Sequence, residues 1–353
     1  MFKNNKNVPN YILGKGSVIE LKNILSQREL QRSPAVFLID QFFHDKNAAK
    51  IFSVRPEDMI IFVSTEHEPK AEYIDEITDN IKSKLKNNLP SVVIGAGGGT
   101  TMDIAKCVSI LLTNPGKAEE YQGWDLVRIP AVYKIGIPTI SGTGAEATRT
   151  AVLTSKKAKL GMNSAYSVFD QIILDPSFLE TVPKDQFLYT AMDCWLHDIE
   201  LLKAPNSQMT KALAEESLKL TREVLLGEMD YEKLMIASYI GGCAMATSWG
   251  GHICHPVSYG LSFVLGLRHG MAICAAFNAL QEYYPESIKE FKDIFVKFNI
   301  ELPKNLTRSL VPDKFDEMAN VILKNEKPLQ NSFGDNWREI FTKEKIKDIL
   351  VKI

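Results

Sequence analysis

Ser91-Val92-Val93-Ile94-Gly95-Ala96-Gly97-Gly98-Gly99-Thr100-Thr101-Met102-Asp103-Ile104-Ala105-Lys106 joins a β-branched run to a glycine cluster and then to a stretch of helical character. The apolar run suits a strand buried on both faces of a parallel sheet, and the glycines let backbone approach a ligand closely. A helix starting there offers unpaired N–H groups and the positive end of its dipole to an anion such as a phosphate. Thr100 and Thr101 add hydroxyls. Thr100 occupies the last glycine position of GxGxxG, so the common dinucleotide fingerprint is absent, and no GK[ST] ending marks a nucleoside triphosphatase. A tight turn without a ligand would read the same from this stretch alone.

Neighbouring segments extend the pattern. Val36-Phe37-Leu38-Ile39 ends at Asp40, and Met59-Ile60-Ile61-Phe62-Val63 ends at Ser64. Both read as strands buried on both faces. Between strands, Tyr73, Ile74, Ile77, Ile81 and Leu85 recur at helical spacing within residues 71–86. This alternation predicts a doubly wound α/β domain with a mainly parallel sheet over residues 1–180, read as dinucleotide-binding. A second loop, Gly136 to Glu146, again mixes glycines with the hydroxyls of Thr139, Ser141 and Thr143, which suit polar contacts to a cofactor. Asp40, at a strand end, is either a solvated turn residue or an acceptor for a ribose diol. In the second role its charge would repel a 2′-phosphate, so NAD is expected over NADP.

From Pro183 the strand signal fades. Residues 206–228 and 231–249 are rich in Ala, Leu, Met, Lys and Glu, which favour helix. Pro183 is expected near the start of a first helix. Residues 343–352 place Ile346, Ile349 and Leu350 on one face of a terminal helix. Residues 181–353 are therefore predicted to form an all-helical domain.

The length of 353 residues agrees with two domains, and 45% hydrophobic with 24% charged residues is a globular composition. A net charge of −2, from 41 basic and 43 acidic side chains, leaves no general field for nucleic acid or an anionic membrane. Apolar runs fall far short of the ~20 residues of a membrane helix, and Met1 to Asn7 carries no apolar stretch that would read as a leader. Five scattered cysteines without CxxC spacing fit a reducing compartment, so a cytoplasmic enzyme is expected.

Six histidines are present: His44, His67, His197, His252, His255 and His269. Asp193 and His197 lie four apart and so share a helix face, while Trp195 and Leu196 point elsewhere and can pack. Such a pair, joined by distant histidines, can ligate a divalent transition metal; a plain helical ion pair would look alike.

Taken together, these stretches resemble the iron-containing alcohol dehydrogenase family of the dehydroquinate synthase-like superfamily. The family's GGGS-x2-D-x-AK appears as Gly97 to Lys106 with Thr100 for serine, and its P-T-x-S-G-T-G-x-E as Pro138 to Glu146. Lys159-Leu160-Gly161, Asp175-Pro176 and the D-x3-H of Asp193 and His197 follow in order. The resemblance implies an NAD-binding domain, with Gly97, Gly98, Gly99, Thr100, Asp103, Thr139, Ser141, Thr143 and Lys159 joining Asp40 in the cofactor set. It also implies a metal held by one Asp and three His. The last two histidines of that set stand fourteen apart with glycine after the second, which only His255 and His269-Gly270 satisfy. The implied ligands are Asp193, His197, His255 and His269, for Fe2+ or Zn2+, and His252 is left over. Tyr259 stands where many members carry a further histidine, either as a substitute in proton transfer or as packing.

Asn7-Val8-Pro9 with Gly14-Lys15-Gly16, Glu119 to Val127, and Ser258 to Ser262 resemble the Kdo 8-oxidase branch of the family. That branch oxidises the primary C8 alcohol of 3-deoxy-manno-octulosonate to an aldehyde on the route to 8-amino-Kdo for lipopolysaccharide, with oxygen the implied final acceptor. The expectation is thus a metal-dependent oxidoreductase acting on this acidic sugar; the alternative is a generic NAD-dependent dehydrogenase for another small alcohol or sugar acid. A lyase and an inactive scaffold are further readings. Arg268, before the last histidine, is a candidate for the substrate carboxylate, with Arg149 another, and a structural ion pair would explain either. The partner is a small molecule, and a homodimer is compatible with the resemblance.

Overall fold

The computed structural model describes residues 5–65, 68–156 and 158–353; Met1–Asn4 and His67 lie outside them. The chain divides into two compact units, Met1–Val182 and Pro183–Ile353. The first has a parallel-sheet α/β architecture and the second is helical.

The strands of the first unit are β1 (Tyr11–Leu13), β2 (Ala35–Asp40), β3 (Met59–Val63), β4 (Val92–Gly97), β5 (Gly123–Trp124), β6 (Lys134–Pro138), β7 (Thr150–Thr154), β8 (Lys159–Asn163) and β9 (Gln171–Leu174). Its helices are α1 (Leu21–Leu25), α2 (Ala48–Ile51), α3 (Ala71–Lys84) and α4 (Gly99–Leu111). One sheet runs β1-β9-β6-β4-β2-β3, with every neighbouring pair parallel. The runs at β2 and β4 are buried along their whole length, which is why they read as unbroken apolar stretches. Met59–Val63 differs: β3 is the edge strand, and most of it is only half-buried because nothing pairs beyond it. On one face Phe37, Ile39, Ile94, Ile135 and Ile173 pack with Leu21, Leu25 and Phe52 of the short helical segments.

After β3 the chain crosses to the opposite side of β2 before forming β4. That reversal leaves a crevice at the carboxyl ends of β2 and β4, the place where open α/β sheets bind ligands. Asp40 ends one strand and Gly97 ends the other. A second sheet, β5-β8-β7, was not anticipated. Its strands are short and carry Lys, Thr and Asn, so they lack the apolar run that marks the main sheet. Asp175 explains the D-P pair: besides capping the turn after β9 through Ser177 N, it accepts from Gly16 N at 2.9 Å and Val18 N at 3.1 Å.

The second unit comprises α5 (Lys184–Lys203), α6 (Gln208–Leu226), α7 (Tyr231–Thr247), α8 (Cys254–Leu265), α9 (His269–Ala279), α10 (Ile288–Phe298), α11 (Pro312–Leu323), α12 (Glu326–Phe333), α13 (Trp337–Ile340) and α14 (Lys343–Leu350). Pro183 immediately precedes α5. Ser207, Asp230 and Thr342 cap α6, α7 and α14 through side-chain oxygens, satisfying first-turn N–H groups. Pro256 is tolerated in α8 because it lies in the first turn, where its missing N–H costs nothing. The helix α5 packs against α6, α7 and α9, so it is buried on most sides. Among the described residues no helix is long and apolar enough to cross a membrane.

Candidate functional site

Helix α5 carries Asp193 and His197 one turn apart, α8 supplies His255 from its first turn, and α9 begins with His269. One ligand atom from each of the four lies within 4.8 Å of all the others. Asp193 Oδ1 stands 3.6 Å from His197 Nδ1, 3.6 Å from His255 Nε2 and 3.4 Å from His269 Nε2. Two ligands each about 2.1 Å from one ion in tetrahedral arrangement are about 3.4 Å apart, so these separations suit a shared cation. Asp193 is only 1% exposed, yet neither carboxylate oxygen has a hydrogen-bond partner. An uncompensated buried carboxylate is costly. The donor set therefore fits a divalent transition metal such as iron(II) or zinc.

The electrostatics agree. Burial alone would raise the Asp193 carboxyl, but His197, His269 and His255 hold it well below the usual carboxylate range. Burial, then the charge of His255, lowers His197 to about 3. Burial also opposes the charged form of His255, but Glu200 and Asp193 raise it to about 9. Gly270 has a steric role: a Cβ there would meet Tyr189 O at 2.6 Å, so glycine lets the start of α9 approach α5. Trp195 and Leu196, between Asp193 and His197, are fully buried, with the Trp195 indole donating to Glu290 Oε1 at 2.7 Å.

His252 lies outside this set. Its Nδ1 is 3.0 Å from Tyr284 Oη, and Tyr284 donates to Glu200 Oε1 at 3.0 Å. Glu200 also bonds His255 Nδ1 through Oε2. Sequence reasoning missed Glu200, although Asp193, His197 and Glu200 follow the i, i+4, i+7 spacing of one helix face. Tyr284 left no such signal, since it comes from a separate segment after α9.

Tyr259 is one turn beyond His255 on α8 and half-buried, its ring centroid 5.6 Å from that of His269 and 6.4 Å from that of His255. Arg268 is exposed and donates to Gln186 Oε1 at 3.3 Å. Arg149, in contrast, is buried and ion-paired with Asp125, a structural commitment of its charge.

In the first unit, the expected cofactor residues cluster partly at the β2–β4 crevice. A Cβ on Gly97 would meet Thr101 Cβ at 2.6 Å and Asp40 Cβ at 3.0 Å, so only glycine allows this strand end beside Asp40. Asp40 accepts from Phe42 N at 2.9 Å and from Thr65 Oγ1 at 3.3 Å. Gly98 precedes α4 without a side-chain cap, and Gly98, Gly99 and Thr100 are half-buried there. Thr139 N donates to Gly97 O at 2.9 Å, which ties the second loop to the first, and Thr143 Oγ1 accepts from Ala145 N at 3.2 Å. Ser141 Oγ is buried with no hydrogen-bond partner, a vacant donor beside that loop. Asp103 and Lys159 are engaged elsewhere in the unit. Asp103 accepts from Val152 N of β7 at 2.9 Å and sits 3.6 Å from Lys106 Nζ, while Lys159 is buried 3.2 Å from Glu68.

Residues 9–176, nearly the whole first unit, match the family model described as iron-containing alcohol dehydrogenase. Over those residues the chain is similar to the iron-containing alcohol dehydrogenase family. It is 29% identical over 288 residues to the NAD-dependent methanol dehydrogenase of Bacillus methanolicus, covering 76% of this chain and 72% of that protein. It is 30% identical over 248 residues to the sulfoacetaldehyde reductase of Bilophila wadsworthia, covering 66% of this chain and 63% of that protein. Among solved structures, a 1,3-propanediol oxidoreductase aligns with a TM-score of 0.79 at 18% identity over 99% of both chains. The sulfoacetaldehyde reductase of Bifidobacterium kashiwanohense in complex with NAD+ aligns with a TM-score of 0.79 at 19% identity, over 99% of this chain and 98% of that one. At these identities the structures show a common fold.

Proposed function

We propose that the protein is a metal-dependent oxidoreductase that interconverts an alcohol and its aldehyde with NAD. Asp193, His197, His255 and His269 would hold iron(II) or zinc, and the β2–β4 crevice would hold the cofactor. The observation that carries this reading is the buried Asp193 carboxylate, faced by three imidazoles at ligand–ligand distances and without a hydrogen-bond donor. A divalent cation there would lower the pKa of a substrate hydroxyl and stabilise its developing charge, and NAD would supply the hydride acceptor.

The protein's own groups supply positioning and proton transfer. Asp40 offers an acceptor to a ribose diol and repels a 2′-phosphate, while the uncapped start of α4 and Ser141 offer donors to the cofactor's pyrophosphate. Tyr259 relays the hydroxyl proton outward, its oxygen accepting as its own proton leaves. The named substrates of the relatives include methanol and sulfoacetaldehyde, which support a small alcohol or aldehyde as the substrate class.

A second, finer reading is oxidation of C8 of Kdo. It is supported by the three stretches that resemble that branch and by Arg268, an exposed cation that donates to the neutral Gln186. The experiment is a substrate panel on iron- or zinc-loaded protein: small neutral alcohols and aldehydes, sulfoacetaldehyde and Kdo, with NADH and oxygen followed together. NADH change with a small alcohol or aldehyde supports the first reading, and an 8-aldehyde from Kdo supports the second. No turnover of any of them by metal- and NAD-loaded protein counts against both.

A further inference from the structure

Glu200 is buried on α5 and is bonded by three other groups. Its Oε2 bonds His255 Nδ1, and its Oε1 accepts from Cys254 N at 2.5 Å and from Tyr284 Oη at 3.0 Å. The Tyr284 hydroxyl has one proton, which it gives to Glu200, so its oxygen accepts from His252 Nδ1 at 3.0 Å. The direction of the chain of bonds is therefore set, from His252 through Tyr284 to Glu200, with His255 donating from the other side. Glu200 grips both the imidazole of His255 and the backbone of the residue before it.

We propose that Glu200 is a positioning residue: it holds His255 with the proton on Nδ1, leaving Nε2 to ligate the cation, while Tyr284 and His252 hold Glu200 in place. The inference rests on the metal reading above. An acceptor that fixes the far nitrogen of a ligating imidazole sets both its tautomer and its angle. Here Nε2 has no hydrogen-bond partner and faces Asp193 Oδ1 at 3.6 Å. This assigns His252 a role three hydrogen bonds away from His255 rather than on the cation. It also explains why Tyr284, which lies outside the four-residue set, is buried and bonded to a residue of α5.

Glu200→Gln tests this, because an amide offers one acceptor and one donor. Whichever way it turns, an N–H faces either His255 Nδ1 or the Cys254 and Tyr284 donors. The full-length chain, stripped of metal, is titrated with Co2+ against a chromophoric chelator, and the ligand-field spectrum and NAD affinity are recorded. Glu200→Gln is expected to weaken Co2+ binding roughly 10- to 100-fold and to shift the ligand-field bands, with NAD affinity retained. Tyr284→Phe is expected to act in the same direction, less strongly. Co2+ affinity within twofold of the unsubstituted chain and an unchanged spectrum for Glu200→Gln would overturn the inference; should that variant not fold, the same result for Tyr284→Phe overturns it. If the unsubstituted chain itself takes up no Co2+, Fe2+ or Zn2+, the metal reading falls and this inference falls with it.

Discussion

His197 and His255 stack nearly parallel, with ring centroids 4.0 Å apart and 26° between their planes. Two imidazolium rings at that distance would repel, and burial with the charge of His255 pushes His197 down to about 3. Each ring nevertheless brings a nitrogen to within 3.6 Å of Asp193 Oδ1. A shared divalent cation would account for three imidazole nitrogens converging on one carboxylate, where a simple ion pair would need only one histidine.

Substitution should separate ligands from neighbours. Asp193→Asn and His255→Ala are each expected to reduce metal affinity by about two orders of magnitude, one ligand's share of a binding energy of about 10–16 kcal/mol. His252→Ala is expected to retain metal with less than a tenfold loss. Metal content after gel filtration against a weak chelator checks all three, and loss of metal from His252→Ala alone would show that the ligand set is wrong.

Glycines at the crevice should divide into two kinds. Gly97→Ala forces a Cβ to 2.6 Å from Thr101 Cβ and is expected to cost about 1–3 kcal/mol of stability as well as NAD binding. Gly98→Ala meets nothing closer than Ile140 Cδ1 at 3.6 Å, so it is expected to weaken NAD binding with stability nearly unchanged. Denaturant unfolding paired with NAD titration reads both.

The reading of the crevice shows what the sequence could carry. Strands β2 and β4 were legible because burial on both faces demands unbroken apolar runs, and the proximity of Asp193 and His197 because both lie on one helical period. Glu200 lay on that period too, but a single carboxylate near a histidine does not announce which histidine it will hold. Tyr284 and His252 meet through tertiary packing, which no local pattern encodes. The small sheet was hidden because strands as short as Gly123–Trp124 have no periodicity to detect.

Asp103 gives a pH dependence. Burial raises its carboxyl to about 6 from an ordinary value of 3.8, against the lowering effects of Lys106 and the Val152 N–H. The folded chain therefore holds this proton more tightly than the unfolded chain, so the contribution to stability is complete below about pH 4 and is lost as pH rises through about 6. Compared with Asp103→Asn, the unsubstituted protein is expected to lose up to about 3 kcal/mol over that window and to stay level above pH 7. Denaturant unfolding across pH measures the difference, and a flat difference would contradict the assignment.

Tyr259→Phe is expected to lower kcat by about 100-fold with little change in KM, because the ring is kept and only the proton-transferring oxygen is removed. Steady-state kinetics against pH check this, and an unchanged kcat would leave Tyr259 a packing residue.

Arg268→Ala is expected to weaken kcat/KM for an anionic substrate about tenfold while leaving a neutral alcohol nearly unaffected. Equal losses on both would remove Arg268 from substrate recognition.

The most direct test of the central claim is NADH formation from a primary alcohol by iron- or zinc-loaded protein, before and after chelation and in the Asp193→Asn variant. The account expects turnover that disappears on chelation, returns when metal is restored, and is absent from the variant. Undiminished turnover in the metal-free protein and in Asp193→Asn would contradict it.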